Sequence, residues 1–388
     1  MTGGSISTSA KGGNGLVATN GGTVTISGTT IKSTGSASGR GLHATYGGVI
    51  TASNMDVSST GGSCATLATD RGEGTVSCSS CTLSTAGAGS PLIYSTGNIT
   101  VSNTTGTSSS AQAVVVEGKN SATIKDSELK CTANPNNKDD ECAVLIYQSM
   151  SGDAESGTSS FNCVKSTMEI LSTSTYYTEA PIFYVTNTDA NIALNGCTFT
   201  YGSDVFIVVD EGSWGTSGSN GGTVTLTLTN QDIEGEIIVG SFSLTIKMIN
   251  STIKGTINKD KTAGTLAIEL DSDSSITLTG NSYYTSLTNA KSDGTNINKG
   301  SYSFGTYDES SESGSDPEKE ESTTNKVDTT AGQKDTTNEV KQTTIPTENN
   351  IETTSSTEQN TTNANATYTT INTIDSNNNC NYDKNNCY

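Results

Sequence analysis

The chain has 388 residues, a formal net charge of −20, 41 glycines and only 5% aromatic residues. The acidic excess is spread along it: residues 306–388 hold 15 acidic and 5 basic side chains, and the rest hold 25 and 15. No basic stripe exists to neutralise phosphates or anionic lipid, which argues against a nucleic-acid or membrane-surface partner, and no run approaches the roughly 18 apolar residues that span a bilayer.

The opening, MTGGSISTSA, has neither the basic start nor the apolar centre of a secretory signal. Read literally it implies a cytosolic protein, but the chain begins inside a repeat-like phrase, so an incomplete start is expected. Residues 1–11 are expected to be a frayed or capping segment.

From Gly15 the sequence repeats itself. GLVATNGG at Gly15, GLHATYGG at Gly41 and ATLATDRG at Ala65 keep Leu16, Leu42 and Leu67 in register, and looser relatives start at Pro91, Ala113, Ala143, Pro181 and Asp204. Each is followed by a second phrase, GGTVTISGTTI at Gly21 and GGVITASNMDV at Gly47, with later versions ending on Leu83, Leu129, Phe199, Ile233 and Ile253. Apolar residues alternate in it, which gives a strand with one inward face. A small polar residue then follows (Gly28, Asn54, Asp126, Asn195, Asn230 or Asn250), of the kind that tolerates positive φ and bends the chain without a hairpin.

A strand this short cannot bury itself, and the period of about 25 residues lies in the range of stacked repeats. Gly, Thr, Ser and β-branched residues dominate where a helical repeat needs Ala, Leu, Glu and Lys. The expected fold is all-β: a right-handed single-stranded parallel β-helix, or solenoid, over residues 1–305, followed by a disordered tail over 306–388. Leu16, Val24, Ile26, Leu42, Leu67, Val76, Leu83, Val101, Ile124, Leu194, Val224, Leu226, Leu244 and Ile246 should face the interior.

The GLHATYGGVITAS and LATDRGEGTVS segments carry a resemblance to the pectin-lyase-like β-helix superfamily, and more closely to adhesin-like β-helix repeat proteins of microbial surfaces; it spans roughly residues 12 to 280. The resemblance implies an extracellular or cell-surface location. It specifies architecture well and activity poorly.

Between about 131 and 180 the rhythm is broken by TANPNNKDDE and QSMSGDAESGTSSFNC, and a later insertion, DEGSWGTSGSNGG, carries Trp214, the chain's one tryptophan. Inserted loops on one side of a solenoid are common contact regions, so Trp214, Tyr176 and Tyr177 are candidate sugar-stacking residues, weighed against plain packing. After Asp308 apolar residues are isolated, Ser, Thr and acidic residues dominate, and a spacer or glycosylated stalk is expected, with sequons at Asn360 and Asn365.

The nine cysteines permit no complete disulfide framework. Cys131 and Cys142 flank an insertion that a disulfide would staple. Cys78 takes the inward position of Ile26 and Ala52, so the Cys78-Cys81 pair reads as buried thiols rather than a metal or redox motif.

The search for catalytic residues finds none. Galacturonan hydrolases need paired carboxylates with a His and basic sugar-binding residues; here NTD at Asn187–Asp189 has no partner Asp in the following phrase. Arg40 and Arg71 are the only arginines, and the acidic runs Asp139–Glu141 and Asp271/Asp273 lie far from them in sequence. His43 is expected to project outward from the coil. No metal and no cofactor are expected. The reading is a non-catalytic adhesin-like protein that binds a glycan or another surface, with a polysaccharide lyase or hydrolase as the alternative and the oligomeric state open.

Overall fold

The computed structural model describes residues 1–135 and 140–307. Of the expected tail, residues 308–388, with Asn360, Asn365, Cys380 and Cys387, lie outside the described residues, as does Asp139; Thr306 still ends a strand, Phe304–Thr306.

Nearly every coil carries three short strands, one coil having only a bridge at Ile257 in place of its second-wall strand, and every strand pairs in parallel with counterparts in neighbouring coils, so the described residues form a single-stranded parallel β-helix. Its first wall begins with Ser5–Thr8 and Thr30–Ser33, its second with Leu16–Ala18 and Leu42–Ala44, and its third with Thr23–Ser27 and Gly48–Ser53. The walls grow to 8, 9 and 11 strands. The opening segment is not frayed, because Ser5–Thr8 already pairs with Thr30–Ser33.

In the third wall the inward column runs Val24, Ile50, Val76, Ile99, Ala122, Phe161, Ile192, Leu226, Ile246 and Ile268, each in register with the next. The small Ala122 sits beside the large Phe161, a pairing that keeps the interior filled. All the expected interior residues belong to the core, with Leu16 and Val24 in the first coil only partly covered.

Two features of the corners explain the composition. Between the third and first walls the backbone turns through a left-handed residue in coil after coil: Gly28, Asn54, Ser80, Asn103, Asp126, Lys165, Gly196, Asn230 and Asn250 all have φ between 45° and 61°. The sequence pattern put one bend at Asn195; it falls one residue later, at Gly196, because Asn195 still pairs within the strand. Between the first and second walls the backbones crowd instead. A Cβ on Gly35, Gly61 or Gly87 would come within 2.1, 2.0 and 1.8 Å of the carbonyl oxygen of Ala10, Gly35 and Gly61 respectively, one coil earlier. Only glycine fits there.

The residue after each left-handed corner faces inward and is polar in most coils, and its side chain serves the neighbouring coil. Cys81 N–H donates to Thr104 Oγ1 at 3.3 Å, Thr104 N–H to Ser127 Oγ at 3.1 Å, and Ser127 N–H to Ser166 Oγ at 3.1 Å. The same ladder resumes as Gln231 to Ser251 and Ser251 to Ser274, both 3.1 Å. These side chains satisfy backbone donors at a turn where strand pairing lapses.

Cys78 does occupy the column of Ala52, but it is disulfide-bonded to Cys81 across the corner rather than a free thiol. Cys131 and Cys142 are both buried and free, so the expected staple of the insertion is absent. The reason is placement: Cys131 ends a first-wall strand inside the main core, whereas Cys142 belongs to a separate cluster outside the second wall.

Candidate functional site

The second wall has an outer face that sequence reasoning left to solvent. Its outward column runs Val17, His43, Ala68, Tyr94, Val115, Leu145, Tyr184 and Val208. From Ala68 to Tyr184 it is buried, as a second apolar cluster roofed by Trp214. The ring of Trp214 lies 5.6 Å from that of Tyr147, and the residue is 8% exposed. Asn220 holds the loop in place by donating Nδ2–H to the carbonyls of Gly212 (2.8 Å) and Trp214 (2.6 Å). Tyr176 and Tyr177 likewise pack against the main core, and Tyr177 lies over Gly202, where an added Cβ would meet its ring. Of the three sugar-stacking candidates, Trp214 is buried, while Tyr176 and Tyr177 are half-buried against the core.

Under this roof sits Glu117, fully buried. Its carboxylate accepts from Tyr94 OH at 2.5 Å, Tyr147 OH at 3.1 Å, Ser149 N–H at 3.3 Å and the Ser149 hydroxyl. Burial pushes its pKa up, against the opposing pull of the Ser149, Tyr94 and Tyr147 hydrogen bonds. A carboxyl tuned upward by burial is the kind of group that serves as a general acid. Beside it, however, the space enclosed by Tyr94, Tyr147, Ser149, Asp153 and Trp214 is about 10 Å³. That is room for about one water, not a sugar ring. No sequence pattern flagged Glu117, because the alternation reads its strand as apolar throughout.

Further along the same face, His43 is not free in solvent. Its Nε2 lies 3.5 Å from Asp70 Oδ2, and Arg40 Nη2 lies 3.2 Å from the same oxygen. Burial alone would raise the Asp70 carboxyl, but the His43 hydrogen bond and the Arg40 charge hold it well below the usual carboxylate range. Arg71 pairs with Asp153 of the inserted loop, tying that loop to an early coil. Asp140, in the acidic run of the insertion, is buried. Asp189 accepts Thr223 N–H at 2.7 Å, a structural use of the NTD tripeptide.

The one large opening among these features lies elsewhere, where the first wall parts. Its strands run without a break to Thr198–Thr200 and then resume as a separate sheet at Asp232–Glu234, while the other two walls stay continuous across the gap. A register shift between Val205 and Ile207 admits Phe206 as an extra residue, and its buried ring stacks edge-on against Phe199 (5.3 Å) and Phe183 (5.6 Å).

The split is bridged at both ends by side chains. The Gln231 amide accepts from Cys197 N–H and donates to Cys197 C=O, each at 2.8 Å, in place of a missing backbone neighbour. At the other end Tyr201 OH donates to the Glu234 carbonyl. Between them lies a groove of about 590 Å³, lined by Phe199, Ile233, Asp232, Glu234, Thr252 and Lys254 among others. Lys254 Nζ is 2.5 Å from Glu234 Oε1, and Thr252 Oγ1 donates to Asp232 Oδ1 at 2.5 Å. An apolar floor with carboxylates, a hydroxyl and an ammonium on its rim suits a polyhydroxylated ligand that needs one face buried and its hydroxyls paired. The sequence carried little signal for it: the phrases ending on Phe199 and Ile233 read as two ordinary coils.

Among the described residues no group of three or more His, Cys, Asp or Glu could hold a metal ion, and no helix is long and apolar enough to cross a membrane. Comparison with protein-family models, curated proteins and solved structures found no match for this chain.

Proposed function

We propose that this chain is a non-catalytic, adhesin-like β-helix protein of the pectin-lyase-like kind, displayed outside the cell, and that it binds a neutral glycan in the groove where the first wall parts. The groove itself carries the reading: it is strand-lined, open, and presents Phe199, Asp232, Glu234 and Lys254 together. The rim's two carboxylates to one ammonium, on a chain of net charge −20, disfavour acidic polysaccharides. A glycan array run with the intact chain tests this, beside the double variant Asp232→Asn, Glu234→Gln. Binding to neutral glycans that falls at least tenfold in the variant supports the proposal; undiminished binding moves the site elsewhere.

The same pair of carboxylates favours one second reading. Asp232 and Glu234 point outward from one strand, and a glycosidase works with two such groups flanking the scissile bond. A turnover assay on the glycans that bind separates the two, since released reducing ends that vanish in the double variant would make the groove an active site.

A further inference from the structure

The groove in the first wall is open above and shut at both ends. Before the Cys197–Gln231 clasp the two coils still touch, since Gly196 N–H donates to Thr229 C=O at 3.3 Å. Beyond the Tyr201–Glu234 bridge they meet again, where Glu236 N–H donates to Asp204 C=O at 2.5 Å and the strands of the second wall pair. The opening is therefore a short slot, bounded by Cys197 and Tyr201 on one coil and by Gln231 and Glu234 on the next. Four residue steps of extended chain span roughly 13 Å. A volume of about 590 Å³ is that of a small-molecule pocket, not of a long cleft that a polymer follows.

Inside the slot the strands Thr198–Thr200 and Asp232–Glu234 face each other with no strand between them. Thr198 N–H donates back to Ser166 C=O at 2.9 Å, so the alternation of an extended chain turns the N–H and C=O of Phe199 toward the slot. On the other side Thr252 N–H donates to Gln231 C=O and Gly235 N–H to Lys254 C=O, both at 2.9 Å. The same alternation then turns the N–H groups of Asp232 and Glu234 toward the slot. Their carbonyls already accept from Gln231 Nε2–H at 2.8 Å and from Tyr201 OH. Fixed backbone donors thus line the slot, carboxylates stand on its rim, and Phe199 and Ile233 form its floor.

From this closed outline we infer that the slot takes the end of a neutral glycan chain, one or two sugar residues, and excludes chain interiors; this rests on the glycan reading above. A terminal sugar leaves the slot on one side only, upward into solvent. An interior sugar must run a neighbour out on both sides, into the Cys197–Gln231 clasp and the Tyr201–Glu234 bridge. The terminal residue also carries a free hydroxyl where an interior one carries its glycosidic bond, and that hydroxyl can accept from a backbone N–H and donate to a rim carboxylate.

The test is calorimetric titration of the intact chain with mannose-, glucose- and galactose-based oligosaccharides of two to six units, and with linear mannan, glucan and galactan of the same linkages. In the series that binds, the affinity per chain should be level from disaccharide to hexasaccharide, and the polymer should bind at least tenfold more weakly per unit mass than the disaccharide. An affinity that climbs steadily to the hexasaccharide, or a polymer as potent per unit mass as the disaccharide, overturns the inference and leaves the glycan reading standing. No binding in any series, or binding unchanged in Asp232→Asn, Glu234→Gln, overturns both.

Discussion

The side-chain amide of Gln231 clasps both backbone groups of Cys197 at 2.8 Å, doing with one residue what a paired strand does elsewhere in the stack. Both groups are buried, and Gln231 is 1% exposed. Gln231→Ala should leave a donor and an acceptor unpaired and cost about 2 to 3 kcal/mol. Gln231→Glu, which sets a buried carboxylate against the Cys197 carbonyl, should lose at least as much. Denaturant midpoints at constant slope would measure both, and an alanine variant as stable as the parent would mean that the split wall needs no clasp.

Lys165 is the least suited residue in the corner column, since its φ of 48° places a long side chain in the left-handed region that Gly, Asn and Asp occupy in most of the coils around it. Lys165→Gly should therefore stabilise the protein, by about 1 kcal/mol. Asn103→Ala, at the same kind of corner with φ 47°, should act in the opposite direction. Thermal or chemical denaturation of the pair decides it, and a destabilised Lys165→Gly would show that the lysine stem makes contacts worth more than the strain.

These corners also show what the sequence could and could not reveal. The inward columns were legible because alternation over a short strand admits one register that buries Val24, Val76 or Leu226. The corner glycines and asparagines were legible for the same local reason. For Trp214 and the inserted loops the sequence left packing and ligand contact both open, because a Gly/Ser-rich loop reads alike whether it waves in solvent or lies over a second apolar face. That face was itself invisible: Tyr94, Val115 and Leu145 look like core residues in the sequence, and nothing local says that Val114 and Val144 point inward while Val115 and Leu145 point out. The groove depends on an unpaired boundary between Thr198–Thr200 and Asp232–Glu234, and pairing across a distance in sequence leaves no mark in either strand alone.

The carboxyls of Asp70, partly exposed, and Glu117, buried, should bend the stability profile in opposite senses. Asp70 has a folded pKa below its unfolded value of about 4, so its contribution is present above that pH and is lost as pH falls. Glu117 has a raised folded pKa, so its contribution is present at low pH and declines as pH rises through the folded value. Asp70→Asn should flatten the acid limb of a stability curve by roughly 1 to 2 kcal/mol, since the carboxylate is partly exposed and partly screened. Glu117→Gln should leave that limb alone and reduce the decline on the other side. Unfolding midpoints between about pH 3 and 8 provide the comparison, and an unchanged acid limb in Asp70→Asn would remove the His43–Asp70–Arg40 cluster from the account of stability.

Trp214 decides between two roles for the 210–222 loop, and it is the chain's single tryptophan, so its emission reports on one site. If the ring is a roof over Tyr147, its fluorescence should be that of a buried indole and should be quenched little by acrylamide. Trp214→Ala should then cost about 3 kcal/mol, near the low end for losing a large aromatic because the loop can partly collapse. Trp214→Phe should recover most of that loss while leaving glycan binding at the groove unchanged, since Trp214 is not among the residues that line it. A sugar-stacking tryptophan would behave differently in each respect: red-shifted emission, strong quenching, little loss of stability in the alanine variant, and binding that fails in it. The two sets of outcomes share no member, so one variant series settles whether the insertion covers the second wall or meets a ligand.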